Sequence, residues 1–353
     1  MEVPAYWTLI GLSSLGVGPQ GANNGGDLKP CAVQRREEQG GVGGLEADCP
    51  ERESTTRSQE MDDDGLVLYA VFEEDEAELR AAHAEGVALQ AADARGWTPV
   101  LHAAFAGKVQ SLRILIELLG LAALDARTPD GSSATHLAAT EGHAECLEAL
   151  AALGGDLKAP DSSGWTAVHA AAAAGQIRSC EVLSGLGLDL SCKTPEGWTP
   201  AHCAAMSGAS ASMRTLRDLG AKLDEVDLEG ETPAHKAAAA GHEECLRELY
   251  QLGAPLNAVD QNGRTPAHFA AADGELACLR CLHELGVRLD TEDAMGESPL
   301  DKADIEEQAE CVQFLQDLLN LERVPNCFNY GMSDGWLKVE REVEFEPPED
   351  CPD

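Results

Sequence analysis

A period of 33 residues runs through this chain and leaves little freedom in how it can fold. Glycines at 131, 164, 197, 230, 263 and 296 keep that spacing without a break. His136, His169, His202, His235 and His268 stand five residues after the first five of them. The alanine pairs from Ala138–Ala139 to Ala270–Ala271 repeat at the same step, as do leucine columns from Leu150 to Leu315 and from Leu153 to Leu318. A period shared by so many independent columns is a structural repeat. A unit of that length is one supersecondary module that must stack on its neighbours to bury its apolar side.

Each unit reads as two helices. Thr-Pro, at Thr199–Pro200, Thr232–Pro233 and Thr265–Pro266, predicts a helix start with Thr as N-cap and Pro in the first turn. The short alanine-rich helix is expected to end at a glycine such as Gly142, Gly208 or Gly274. A second helix puts Leu246, Leu249 and Leu252 on one stripe and stops at Gly253. A tight turn follows, most plainly at Asn262–Gly263. The stretches Gly-Trp-Thr-Pro-Ala-His-Cys-Ala-Ala from Gly197 and Gly-Arg-Thr-Pro-Ala-His-Phe-Ala-Ala from Gly263 resemble the ankyrin-repeat signature, over roughly residues 62–322. The resemblance implies an all-α solenoid of about eight helix-turn-helix units with short β-hairpin tips. Alanine in the first helix fits that frame, because small side chains let units approach at the short end of the usual ~8–10 Å helix separation.

Eight units fit. The first lacks the Thr-Pro motif and has Glu85 where later units have leucine, as suits a polar cap. In the second, Leu101 takes the histidine column and His102 falls one residue later, while two extra residues near Leu121–Leu124 predict an irregular interface. The last replaces the histidine by Asp301. The expected organisation is a disordered N-terminal segment over 1–60, a solenoid over 61–322 and an acidic, mostly disordered tail over 323–353. Met1 and Met61 are both candidate starts, and the alternating stretch Leu337–Phe345 is either an edge strand or an extended charged segment.

Lys plus Arg number 25 against 62 Asp plus Glu, a formal net charge of −37. Such a field repels nucleic acid and anionic membranes, so neither is expected as a partner. No stretch has the 18 or more apolar residues of a spanning helix, and Glu2 stands where a signal peptide wants positive charge. With 12 cysteines in 353 residues, a disulfide scaffold is not expected. The chain reads as an acidic protein with reduced thiols, cytoplasmic or nuclear, and monomeric.

No cofactor and no metal are expected. Zinc ligands sit about 2.0–2.1 Å from the ion, and histidines one helix spacing apart cannot share it. Hydrogen bonding to a neighbouring turn accounts for them better. Cys278 and Cys281 form a Cys-x-x-Cys, but Cys146, Cys245, Cys278 and Cys311 share one column, which reads as core packing. Asp62–Gly65 resembles part of a calcium loop, yet the required Glu would fall on Val71. Gly107–Lys108 has no glycine five residues before it, so there is no phosphate loop, and no nucleophile elbow is present. The chain is therefore read as non-catalytic.

Recognition is left, on the concave surface that such a solenoid makes from its tips and first helices. The residue after the tip glycine is Trp97, Trp165 and Trp198 in three units, out of five tryptophans in the chain. Tryptophan at an exposed edge is a typical binding hot spot. Phe105 and Met206 share the exposed column of the first helix. Trp97, Phe105, Trp165, Trp198 and Met206 are expected to form a partly apolar strip, and Asp130, Glu196 and Glu229 at the tips to favour a basic segment of a partner protein. The resemblance also implies two alternatives, a substrate-recognition subunit of a ubiquitin ligase and an enzyme-associated targeting subunit. It marks Asn257 as a candidate hydroxylation site.

Overall fold

The computed structural model describes residues 63–323, which form sixteen α-helices and no regular strand. The helices come in pairs: α1 (Asp63–Glu73) with α2 (Glu76–Ala84), α3 (Pro99–Phe105) with α4 (Val109–Leu119), α5 (Ala134–Glu141) with α6 (Ala144–Ala152), and α7 (Ala167–Ala173) with α8 (Ile177–Gly185). Then come α9 (Pro200–Met206) with α10 (Ser210–Asp218), α11 (Pro233–Ala239) with α12 (Glu243–Gln251), α13 (Pro266–Ala272) with α14 (Leu276–Glu284), and α15 (Pro299–Ile305) with α16 (Ala309–Arg323). Odd-numbered helices pack on one another in an inner row and even-numbered ones in an outer row, which is the stacked arrangement the repeat requires. The readings made for 1–60 and for the tail lie outside the described residues, apart from Arg323, which closes α16.

The core follows from the columns. Every alanine of the repeated pairs is fully buried, so backbones rather than long side chains meet along the inner row. The outer helices bury one stripe each, for example Leu147 and Leu150, Cys180 and Leu183, or Leu246 and Leu249. Cys146, Cys245, Cys278 and Cys311 stand in that stripe, all buried. Burial pushes the thiols of Cys245 and Cys278 up to about 12. The Cys281 thiol donates to the Glu243 carbonyl at 3.6 Å.

The tips are turns rather than hairpin strands, with one isolated bridge, Arg127 to Ser133, among the described residues. An aspartate staples most of them. Asp227, for instance, accepts from the amides of Glu229 and Glu231 at 3.0 and 2.8 Å, while its own amide donates to the Glu231 carbonyl. A side chain that satisfies two amides of a four-residue turn leaves no room for a ladder. Successive tips are nevertheless tied together. Ser162, Leu228, Gln261 and Ala294 donate their amides to the carbonyls of Asp130, Glu196, Glu229 and Asn262. Pro129 and Pro195, which have no amide hydrogen, occupy the donor place at the other two junctions.

Departures from the repeat sit where the columns fail. The turn between the two helices of a unit needs a left-handed residue, supplied by Gly107, Gly142 and their equivalents; in the first and last units Glu74 and Glu307 take that conformation, each at φ 58°. A side chain there costs about 1–2 kcal/mol. Such a residue is tolerated at the two ends of the stack. The two extra residues after α4 form a 3₁₀ turn, Leu121–Asp125, and a cavity of about 350 Å³ opens between it and the next unit.

Candidate functional site

The repeated histidine is the joint between units. In α9, His202 Nδ1 accepts from the amide of Thr199 at 3.1 Å, and its Nε2 donates to the carbonyl of Glu231, one unit on, at 2.9 Å. A carbonyl can only accept, so Nε2 carries the hydrogen and the ring is neutral. His136, His169, His235 and His268 repeat both bonds, to Trp165, Trp198, Arg264 and Glu297. Burial of the ring pushes the pKa of His169, His202 and His235 down to about 4. In the last unit Asp301 accepts from the Ser298 amide at 2.7 Å, reproducing the first bond but not the forward one. Leu101 reproduces neither, and Thr98 Oγ1 is left buried without a partner.

These joints fix what the inner face presents. The residue after each tip glycine stands beside the residue after each histidine, and their chemistry changes along the stack. In units one and two it is aromatic. The Trp97 ring lies 5.2 Å from Phe105 and 5.3 Å from His102, whose Nε2 meets Asp93 Oδ2 at 3.0 Å. Phe72, in the column of Phe105, lies 6.2 Å from His102, and Tyr69 shares the column of His102. Phe105 is half-exposed at its rim, at 38%.

The middle units are apolar. Trp165 packs with Ala173, Cys203 and Trp198 in a cluster separate from the main core. Trp165 is only 7% exposed, which corrects its expected place on an exposed edge. The reason is local: Ala173 and Cys203 are small, and the indole packs against them. Trp198 and Met206 are half-buried. Four residues of the expected strip therefore fall into two groups, Trp97 with Phe105 and Trp165 with Trp198, while Met206 shares the column of Phe105.

From unit six on the face is ionic. Lys236, 8% exposed, pairs with Glu231 and, at 2.9 Å, with Asp227, and its ammonium lies 4.7 Å from the centre of the Trp198 ring. Burial works against the Lys236 charge, but Glu231 and Asp227 outweigh it and raise its pKa. Arg264 pairs with Asp260 at 2.7 Å and lies 4.4 Å from the Phe269 ring, while Lys302 pairs with Glu297 and Asp293. Sequence reasoning missed these pairs; Lys236 and Arg264 each also reach back across a unit boundary, to the Trp198 ring and, at 3.5 Å, to Glu231.

At the tips, Asp130 accepts from the Ser132 hydroxyl at 2.7 Å, and Glu196 and Glu229 are exposed. Their backbone carbonyls are used between tips. Asn257 is exposed in the loop between α12 and α13. Tyr69 and Phe72 were missed; the signal was their position 33 residues before His102 and Phe105, hidden because the first unit lacks the Thr-Pro motif. No group of three or more His, Cys, Asp or Glu among the described residues could hold a metal ion, and no described helix is long and apolar enough to cross a membrane.

A family model described as ankyrin repeats (3 copies) matches residues 67–161 and 117–194, and one described as ankyrin repeats (many copies) matches 210–247 and 234–283. The cattle (Bos taurus) ankyrin repeat and SOCS box protein 2 is 31% identical over 120 residues. That match covers 34% of this chain and 18% of the relative's length. Inner helices joined through a forward-bonding histidine, tied tips and both family matches converge: this chain belongs to the ankyrin-repeat proteins.

Proposed function

We propose that the chain is a non-catalytic interaction module, an adaptor that holds a partner protein on its concave face through a segment combining apolar and basic side chains. The observation that supports this is the layout of the inner face. Incompletely buried Trp97 and Trp198 stand just before the inner helices and Phe105 and Met206 at their ends, with Asp130, Glu196 and Glu229 at the tips. An apolar floor under an acidic rim fits a segment whose basic groups point up and whose apolar groups point down. Trp165 contributes by shaping the floor rather than by contact. The protein acts as a monomer, in the cytoplasm or nucleus.

The test is affinity capture with the wild type and with Phe105→Ala/Trp198→Ala, followed by crosslinking to locate the contacts. Loss of the partner from the variant, with crosslinks from the inner helices, is expected. Retention of every partner, or crosslinks confined to the outer helices, defeats the reading.

A second reading, substrate recognition for a ubiquitin ligase, is supported by the cattle relative with its SOCS box. The shared stretch spans 120 residues, and the reading depends on residues beyond 323. Ubiquitin-ligase subunits co-purifying with the full chain but not with a form lacking 324–353 would favour it.

A further inference from the structure

Rings on the inner face of the later units carry cations of the chain itself. The Lys236 ammonium covers Trp198, and the Arg264 guanidinium covers Phe269. Units one and two place Trp97 in the column of Trp198, Tyr69 in the column of Phe269, and Phe72 and Phe105 in the first-helix column three residues further on, and among the described residues no lysine or arginine lies over any of them. Tyr69, Phe72 and Phe105 are 47, 41 and 38% exposed.

The surroundings are acidic. Glu73, Glu74 and Asp75 follow Phe72 directly, all exposed, and the Asp93 carboxylate lies against His102. Ring faces are electron-rich and attract cations, and neighbouring carboxylates add to that attraction. The Trp97 and Phe105 rings meet edge to face, with 76° between their planes, so they form an open ridge rather than a cage. A ridge suits a side chain of an extended segment better than a small free amine, which needs enclosure.

We propose that this ridge, with Phe72 in the column of Phe105 one unit earlier, takes an arginine or lysine side chain from a partner protein, stacked on the ring faces of Phe72 and Phe105. The proposal rests on the concave-face reading above and names its cationic anchor.

The probe is a library of random peptides of about twelve residues displayed on phage and selected on the full chain, with enriched sequences synthesised and measured by fluorescence anisotropy. Enriched peptides are expected to carry Arg or Lys. Replacing that residue by Gln should weaken binding roughly tenfold, and Phe72→Leu/Phe105→Leu, which keeps apolar bulk but removes the ring faces, should weaken it by roughly fivefold to tenfold. Tyr250→Ala, on the outer row and 51% exposed, should change it less than about twofold, with thermal melts showing all variants folded. Peptides without a cation, or peptides indifferent to Phe72→Leu/Phe105→Leu but lost with Met206→Ala, overturn the anchor and leave the concave-face reading standing. No enriched peptide, or peptides unaffected by either change, sinks both.

Discussion

The Nε2 hydrogen of His202 is donated to the carbonyl oxygen of Glu231, 2.9 Å away and 29 residues further along the chain. Through this bond one unit holds the tip of the next. His202→Leu should therefore leave the buried Thr199 amide without a partner and the Glu231 carbonyl with the Asp227 amide alone, at a cost of about 1–3 kcal/mol. Urea titration followed by circular dichroism is the check. A loss below about 1 kcal/mol would show that packing, not the bond, joins the units.

The five buried rings also set a pH dependence. An unfolded histidine titrates near 6.5, whereas His169, His202 and His235 titrate at about 4 when folded. The unfolded chain binds more protons between those values, so the stabilisation is complete above about 6.5 and is lost as pH falls toward 4. Each ring costs about 1.4 kcal/mol per pH unit inside that window. The melting temperature is expected to fall on the order of 10 °C between about pH 7.5 and 5. His136 and His268 are shifted in the same direction. A flat profile over that range would contradict the assigned tautomers.

Lys236 stands between two buried carboxylates, and Lys236→Ala removes the ammonium from both, leaving Glu231 with Arg264 at 3.5 Å and Asp227 with its turn amides. The expected cost is about 3 kcal/mol or more. Removing Glu231 as well, in Lys236→Ala/Glu231→Ala, should be milder than the sum of the single losses, since Asp227 still accepts from its own turn amides. A double-mutant cycle measured by chemical denaturation decides it; strict additivity would mean that the two groups do not interact.

Gly164 and Gly187 share a left-handed backbone, at φ 80° and 82°, but not a neighbourhood. A Cβ on Gly164 would stand 2.2 Å from Pro195 Cδ, whereas one on Gly187 meets nothing within 4 Å. Gly187→Ala should cost about 1–2 kcal/mol for the backbone alone. Gly164→Ala should cost at least about twice that, because the tip of the next unit must move. Equal melting temperatures for the two variants would rule out the close tip contact.

The repeat register, the helix pairs and the buried alanine and leucine columns were all legible before any coordinates, because each depends on chemistry inside one unit. Thr-Pro starts a helix, glycine ends it, and the histidine's role as a joint follows from its place beside Thr. The inner face was legible only in part. Whether a tip tryptophan is exposed depends on residues it meets from other positions and units: Ala173 and Cys203 let Trp165 sink, and Phe105 props Trp97. Glu231 meets Lys236 within its unit but Arg264 only through stacking, and Tyr69 and Phe72 join the face although their unit lacks the motif. Sequence spacing determined which side chains share a column. Stacking brought neighbouring columns together, and the size and charge of the facing residues then decided which rings are buried, which carry a cation and which stand open.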